Sequence, residues 1–490
     1  MNSARAVSSG AALNSVGLLS TALGSAIQVA LFLGQFGANH RTDGVIAALA
    51  VYSLVSVVGQ LLRTTAVRLL VGSGRVMTED TFGWTVTALV LIATVLALVL
   101  AAPLAGLVTA SSGAGARATA TTALRVMSPA MSLQIAGAAL AVVGGIRGRF
   151  DLVAVAYVLA AVVGVATYVS VSSAVGVQGL PWANVASAVV LCVVLIAGMR
   201  LRVTQPPSPS VLAHALVSLL HDIPMPISFV VMYPISLALA PKARAGDITL
   251  YGLAYTACSY LPGITAQALS MASMSTFVSL DEANAQARQA GVVQAFRYSL
   301  VLAVPILAVI AVAGAPVVGV LVSQRTDVTG ASFGTYAALL GPFLVASLGV
   351  WTVLPAVLSS ARRPTGWWMV TVTVGLLLLH ALATVCGRLL ADFDGVIVTM
   401  SIAPATFVIV GLSRVIPGTV IHMARPALTI CAITVVSFGL LDLGAHRIAA
   451  GSTAAGILTA ACALIVYGVL VSAVYADEAR ALFRLAARRS

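Results

Sequence analysis

The sequence predicts an all-α protein that crosses a lipid bilayer about fourteen times, and two observations carry this prediction. Of the 490 residues, 60% are hydrophobic and only 8% are charged, whereas soluble domains carry roughly 25% charged residues. So much apolar surface cannot be given a polar exterior, so lipid must be the solvent for most of the chain. The apolar residues also come in runs of about 20, the length that a helix needs to cross a bilayer.

Fourteen such runs lie between charged residues and turn residues. The second run is interrupted by Arg63 and Arg68, and the seventh contains His221, Asp222 and three prolines. The predicted cores of the spans are 14–34, 44–62, 84–108, 122–146, 152–174, 182–199, 211–239, 248–278, 298–322, 333–359, 366–387, 395–413, 426–442 and 452–475.

The distribution of basic residues predicts the orientation of these spans. With the N-terminus inside, 18 of the 26 lysines and arginines fall on inner loops and tails, an asymmetry that persists along the chain. It predicts an even number of spans and two cytoplasmic termini. The net charge of +12 is therefore a topology signal, and the absence of a basic patch interleaved with aromatics argues against nucleic-acid binding.

The sequence offers no pattern typical of an enzyme or of a metal site. The five cysteines are scattered without a CxxC spacing, so neither a zinc site nor a disulfide framework is expected. Lys242 is the single lysine and does not belong to a phosphate-binding GxxxxGK[ST] loop. No loop is long enough for a catalytic domain. We expect no cofactor, no metal and no catalytic residue. The functions that remain are the binding of a substrate and its movement across the membrane.

Two stretches early in the chain carry a family resemblance: Ser20-Thr-Ala-Leu-Gly24, and Phe36-Gly-Ala-Asn-His-Arg-Thr-Asp43 leading to Ala48. Leu124-Arg-Val-Met-Ser-Pro129 and Tyr251-Gly-Leu-Ala-Tyr255 add to it. In order and spacing these segments resemble the MurJ/MviN lipid II flippases of the MOP superfamily (multidrug, oligosaccharidyl-lipid and polysaccharide exporters).

This resemblance implies a division of the fourteen helices and a function. It implies a six-helix lobe over 1–205, a second over 206–418, and a final helix pair with a basic cytoplasmic tail over 419–490. It also implies a multi-pass protein of the bacterial plasma membrane that acts in peptidoglycan and cell-wall biogenesis. Its partners would be membrane lipids, a polyprenyl-linked substrate and a coupling cation or proton.

The chain departs from the family at its cavity arginines. The family positions for arginine hold Thr21 and Ile27 in the first helix, Ser56 in the second, and a residue near Ala257 in the eighth. Gln28 replaces the acid that follows in the first helix. Arginine binds a diphosphate through paired N–H donors and a fixed charge, so its loss puts lipid II as the cargo in doubt.

The resemblance and the charge pattern together name candidate contacts for a substrate. Asp43 either caps a helix at the outer surface or closes an outer gate by pairing with a basic residue of the other lobe. Arg63 and Arg68 either snorkel to lipid headgroups or grip a lipid-linked phosphate. The substrate-binding candidates are Asp43, Arg63, Arg68, Gln28, Arg125 and Arg297.

Ionisable residues inside the spans are candidates for coupling, because a charge at the bilayer centre costs roughly 2.5–3.5 kcal/mol on insertion scales. Asp222 and His221 are the predicted coupling residues, since they lie in the seventh span beside Pro224 and Pro226. His380, alone among leucines, is expected to make a structural interhelical hydrogen bond instead.

Three functions therefore stay open. The first is a flippase that moves a polyprenyl-linked envelope precursor from the inner to the outer leaflet by alternating access between two lobes. The second is a drug or cation antiporter of the same superfamily, which suits a cavity without arginines. The third is a transport-inactive scaffold that recruits enzymes of envelope synthesis.

Overall fold

All regular structure in the described part of the chain is helical. The computed structural model describes residues 2–53, 78–199, 206–220, 224–267, 285–322, 330–358, 366–415, 418–442 and 453–475, and within these ranges there is no β-strand. Ala-, Val- and Leu-rich runs satisfy their backbone hydrogen bonds internally as helices, which lipid requires. The predicted all-α membrane architecture is confirmed.

Eight helices account for the described residues up to Leu239. Thr78 caps the third of them by accepting a hydrogen bond from the backbone N–H of Thr81. A short 3₁₀ turn at Gly176–Gln178 separates the fifth from the sixth. The helices are α1 (Asn2–Phe36), α2 (40–53), α3 (Glu79–Val108), α4 (Ala114–Ile146), α5 (Phe150–Val175), α6 (Gly179–Met199), α7 (Pro209–Leu220) and α8 (Pro224–Leu239).

Eight more helices follow Leu239 in the described residues. A π-helical turn, Gly263–Gln267, extends the first of them, and another, Val435–Gly439, extends the seventh. The helices are α9 (Asp247–Pro262), α10 (Ala285–Val322), α11 (Gly330–Leu339), α12 (Gly341–Leu358), α13 (Gly366–Thr399), α14 (Ile402–Val415), α15 (Thr419–Thr434) and α16 (Thr453–Val474).

The helix α13 is broken near its end, which separates two predicted spans. Ala391 and Asp392 leave helical dihedral angles, and Asp392 has a positive φ of 49°. Beyond the break the chain passes so close to its own preceding turn that a Cβ at Gly395 would overlap the carbonyl oxygen of Gly387. The break falls between the predicted spans 366–387 and 395–413.

Within the described residues, eight stretches are long and apolar enough to cross a membrane. One of them, Phe150–Met199, holds both α5 and α6, and a further pair bends by 46° between Phe333–Leu339 and Gly341–Leu354. The protein is therefore multi-pass, and the number of fourteen spans stays a prediction.

By its packing the chain divides into two compact units. The first is Met1–Gly252 with Pro364–Val396, and the second is Leu253–Arg363 with Ile397–Ser490. In the first unit α1 packs along α5, with Gly17 against Tyr157 and Gly24 against Ala161. In the second, α10 packs against α16, where the Tyr467 hydroxyl donates to the Val301 carbonyl over 3.1 Å. The predicted lobe boundaries near 205 and 418 stay predictions.

Candidate functional site

The start of α2 is stabilised by its own residue Asn39. The side-chain oxygen of Asn39 accepts from the backbone N–H groups of Arg41, at 2.9 Å, and Thr42, at 3.3 Å, and the Thr42 hydroxyl accepts from the N–H of Asn39 at 2.8 Å. This reciprocal pair satisfies donors that the first turn of a helix leaves open. Asp43, four residues on, is therefore available for another partner.

Asp43 caps α9 instead of its own helix. Its side chain is fully buried. One carboxylate oxygen accepts from the backbone N–H of Gly246 at 3.0 Å, and the other accepts from the N–H and the hydroxyl of Thr249 at 3.0 and 2.6 Å. Of the two roles expected of Asp43, the structure shows a helix cap. The helix that it caps is α9, about 200 positions further along the chain, and not its own helix α2.

Three hydrogen bonds and a helix N-terminus explain how this carboxylate is tolerated in a buried place. Burial raises the pKa of Asp43, and the hydrogen bonds from Thr249 and Gly246 act to lower it. The positive end of the α9 dipole also favours a negative group there. In the described residues, the ion-pair contact of Asp43 is with His40 of its own helix, at 3.9 Å, rather than with a basic residue of the other predicted lobe.

Close packing at two glycines, one in α2 and one in α9, fixes α2 between α4 and α9. A Cβ added to Gly44 would overlap the carbonyl oxygen of Ala116 in α4. One added to Gly252 would overlap Ile46 of α2 and lie 2.7 Å from the Tyr233 hydroxyl. Glycine is required at both positions because the neighbouring helices leave no space for a methyl group.

Gln28 faces the interior of the first unit. It is 5% exposed, and a Cβ on Gly164 of α5 would overlap the Ser187 hydroxyl of α6 and lie 2.5 Å from the Gln28 amide nitrogen. Two turns further along α1, Gln35 accepts from the Tyr168 hydroxyl at 2.9 Å. Gln28 therefore belongs to a polar seam between α1, α5 and α6.

The basic candidates do not come together with Asp43 in the described residues. Arg125 is exposed on α4. Arg297, on α10 of the second unit, holds its guanidinium carbon 5.3 Å from the centre of the Tyr475 ring, a cation–π contact. Arg63 and Arg68, and the coupling candidates His221 and Asp222, lie outside the described residues.

His380 makes the interhelical hydrogen bonds expected of it. Its Nε2 donates to the carbonyl of Met232 in α8 at 2.9 Å, and the Ser236 hydroxyl lies 3.0 Å from the same nitrogen. The partners Met232, Ser236, Gly246 and Thr249 had no signal in the sequence pattern, because each is an ordinary residue of an apolar or turn segment.

The fold is that of MOP-superfamily transporters. A structure of the lipid II flippase MurJ in an inward closed conformation superposes with a TM-score of 0.69 at 13% identity, covering 95% of this chain and 99% of that one. A MOP transporter from Pyrococcus furiosus gives a TM-score of 0.57 at 13% identity, with 88% and 96% covered. An inward-facing multidrug resistance MATE transporter gives 0.57 at 14% identity, with 85% and 98% covered.

No protein-family model matches the chain, and no curated protein matches it in sequence. The compared structures are of a flippase and of transporters rather than of enzymes.

Proposed function

We propose that the protein is a flippase that moves a polyprenyl-linked cell-envelope precursor from the inner to the outer leaflet of the bacterial plasma membrane. The observation that carries this proposal is the capping of α9 by Asp43. It joins a helix of the predicted N-terminal lobe to one of the predicted C-terminal lobe. A contact of that kind suits an outer gate, which must be closed while cargo enters from the cytoplasmic side.

The chemistry of the cap suits a gate that opens and closes reversibly. A single capping side chain contributes about 0.5–2 kcal/mol, and hydrogen bonds to a charged group about 1.5–3 kcal/mol each. A contact of a few kcal/mol can hold one conformation and still be overcome by a ligand with differential affinity. Opening would expose the carboxylate of Asp43 and the N-terminus of α9 to water, which satisfies both.

The cargo is proposed from the structural similarity to a lipid II flippase over nearly the whole chain. Basic residues predicted on the inner side add to this proposal. Arg63 and Arg68 are the proposed contacts of the diphosphate, with Arg125 and Gln28 as further candidates. Because Arg297 lies on Tyr475, it would have to leave that ring to bind cargo. Asp222 and His221 are the proposed coupling residues, and both termini are proposed to be cytoplasmic.

Complementation of a strain depleted of its lipid II flippase tests this proposal. Growth with the wild-type chain and loss of growth with Asp43→Ala, at equal membrane levels, is the expected result. Asp151→Ala is the matched control, because Asp151 is an exposed acid in the first turn of α5. No growth with a well-expressed wild-type chain would overturn lipid II as the cargo.

A second function is favoured by a specific observation. Positions where arginines would line a cavity hold Thr21 and Ala257, and Ile27 is 48% exposed. A cavity without fixed positive charge suits a cationic drug, as does the likeness to a MATE transporter. Efflux of ethidium from cells that express the chain would support this antiporter function, and efflux equal to that of vector-only cells would oppose it.

A further inference from the structure

His380 stands out in the first unit because it is a fully buried histidine with one ring nitrogen that has no hydrogen-bond partner among the described residues. The residue is 0% exposed. Its Nε2 is 2.9 Å from the Met232 carbonyl oxygen, which can only accept, so the ring proton lies on Nε2. The other nitrogen, Nδ1, carries a lone pair and has no hydrogen-bond partner in the described residues. We take the ring to be neutral here, because an N–H at Nδ1 would be buried without an acceptor; Nδ1 is then a vacant site for a proton.

The hydrogen bond of His380 reaches α8 at the turn where Pro234 removes a backbone hydrogen bond of that helix. Pro234 lacks an N–H, so the carbonyl of Val230 loses its helical partner and the helix is weakened across 230–234. His380 contacts α8 at Met232, inside this stretch, and at Ser236, two residues after the proline. Further along the contact between α8 and α13, which we call the α8–α13 seam, Arg388 donates to the Leu239 carbonyl at the end of α8, over 3.3 Å. These contacts hold a proline-weakened helix against α13.

Among the described residues of the two helices that meet at His380, we find no counter-charge placed to receive an imidazolium. Between Pro224 and Leu239, α8 carries no acid or base, and its ionisable side chain is Tyr233, whose ring packs on Tyr251 of α9. On α13 itself the other ionisable groups are Cys386, Arg388, Asp392 and Asp394, and the hydroxyl nearest along the helix is that of Thr384, 3.5 Å from Nε2. A charge buried without a partner is costly, so protonation of His380 opposes the packed arrangement.

Resting on the flippase function proposed above, and in addition to the coupling residues Asp222 and His221 proposed there, we propose that the coupling ion is a proton and that it binds Nδ1 of His380, where it releases α8 from α13. The proton comes from a hydronium ion of the aqueous phase, which is left as water; a new N–H bond forms at Nδ1, and the ring gains one positive charge while Nε2 keeps its own proton. The imidazolium then needs an acceptor and hydration that the packed seam does not provide. Loss of the proton restores the neutral ring and the hydrogen bond to Met232.

A distance measurement across the seam tests the proton site without any cargo. Nitroxides are attached at Ile235→Cys and Leu382→Cys in a background without native cysteines, in lipid nanodiscs, and the spin–spin distance is measured from neutral to mildly acid pH. We expect a second, longer distance to grow in as the pH falls. A distance distribution that does not change with pH would overturn the proposal.

Two substitutions and one control assign the response to His380. His380→Gln keeps a side-chain donor for the Met232 carbonyl but cannot titrate, so the pH response should disappear. His422→Gln, at an exposed histidine of α15, should leave it intact. Ser236→Ala keeps His380 and removes one of its contacts, so the transition should move to higher pH; this variant remains informative where the glutamine variant does not fold. An unchanged response in both His380→Gln and Ser236→Ala would overturn the assignment.

Transport separates this inference from the proposed function. Proteoliposomes are loaded with a fluorescent polyprenyl diphosphate lipid, and flipping is followed with and without a pH gradient. Acceleration by the gradient in the wild type, lost in His380→Gln, is the expected result. Equal acceleration in His380→Gln would overturn the coupling role while leaving the flippase intact. No flipping by the wild type, with the pH-dependent distance still present, would reject the flippase and the coupling role and leave the proton site standing.

Discussion

The carboxylate of Asp43 accepts both the backbone N–H and the hydroxyl of Thr249, a residue 206 positions later in the chain. One side chain thereby replaces the local cap that the N-terminus of α9 would otherwise need. The same helix start carries Asp247, whose carboxylate accepts from the N–H of Arg244 at 2.9 Å and shapes the preceding turn. The N-terminal end of α9 is therefore organised around two acids with separate tasks, one local and one long-range.

Removal of the Asp43 carboxylate should loosen the start of α9. We expect Asp43→Ala to raise the labelling rate of a cysteine placed at the buried position Ile248 by about two- to thirty-fold, which corresponds to a lost cap of 0.5–2 kcal/mol. Asp43→Asn retains a side-chain oxygen as acceptor, so its effect should be smaller. The measurement is the rate of reaction with a water-soluble maleimide in a background without native cysteines. Equal rates in the alanine variant and the parent would show that the contact does not hold α9.

The same contact should respond to pH with a definite sign. Burial raises the pKa of Asp43 above its ordinary value, so the capped state binds a proton more readily than a state in which the carboxyl is in water. Acidification therefore favours the capped state relative to the released one. Because maleimide reacts with the thiolate, every labelling rate falls on acidification, so the rate at Ile248→Cys is divided by the rate of the same cysteine in Asp43→Asn, which cannot titrate. This ratio should fall as the pH is lowered towards that pKa, and a ratio that rises would contradict the sign.

The sequence was sufficient to predict an all-α, multi-pass protein because the signal for a membrane helix is local. Length and apolarity mark each span, and the structure places the break at Asp392 between two spans separated on those grounds. A helix cap was one of the two roles expected of Asp43, because acids favour helix starts. Which helix it caps depends on chain segments some 200 residues apart, and nothing in the local pattern of Gly246 or Thr249 indicates it.

Gln28 is a second residue whose packing partner could not be predicted from the local sequence. Its polarity inside an apolar helix signals a function or a hydrogen bond, but the face that it occupies depends on the packing of α1 against α5. The small residue at Gly164 is what admits it, and one glycine among 42 carries no signal of its partner. The predicted contact with a substrate thus remains a proposal, while the packing role is seen directly.

The glycines around α2 should be intolerant of a single added methyl group. Gly252→Ala places a Cβ on Ile46 and near the Tyr233 hydroxyl, and overpacking of this kind costs about 1–3 kcal/mol. We expect lower thermal stability in detergent, measured by intrinsic tryptophan fluorescence. Gly375→Ala is the matched control, because a Cβ there meets nothing within 4 Å. A helical glycine in open space should be neutral or stabilised on replacement by alanine, so equal losses at both positions would contradict the packing argument.

The contact between α3, α4 and α6 in the first unit should depend more on Arg147 than on its acidic partner, Glu79. Arg147 donates to one oxygen of Glu79 through Nε at 3.2 Å and Nη2 at 2.6 Å, and through Nη1 to the Met199 carbonyl at 3.3 Å. Both charged side chains are about 40% exposed. Water therefore screens the pair, and its removal in Glu79→Gln should cost only about 0.2–1 kcal/mol.

Arg147→Ala should cost more, because it also leaves the last-turn carbonyl of α6 without its donor, worth about 1 kcal/mol. The difference between the two variants in thermal unfolding isolates the contribution of the Met199 contact. Arg149→Ala provides the control, since Arg149 is half-exposed and its ion pair with Asp151 is long, at 3.7 Å. If Glu79→Gln were as damaging as Arg147→Ala, the ion pair rather than the carbonyl would be what joins α3, α4 and α6.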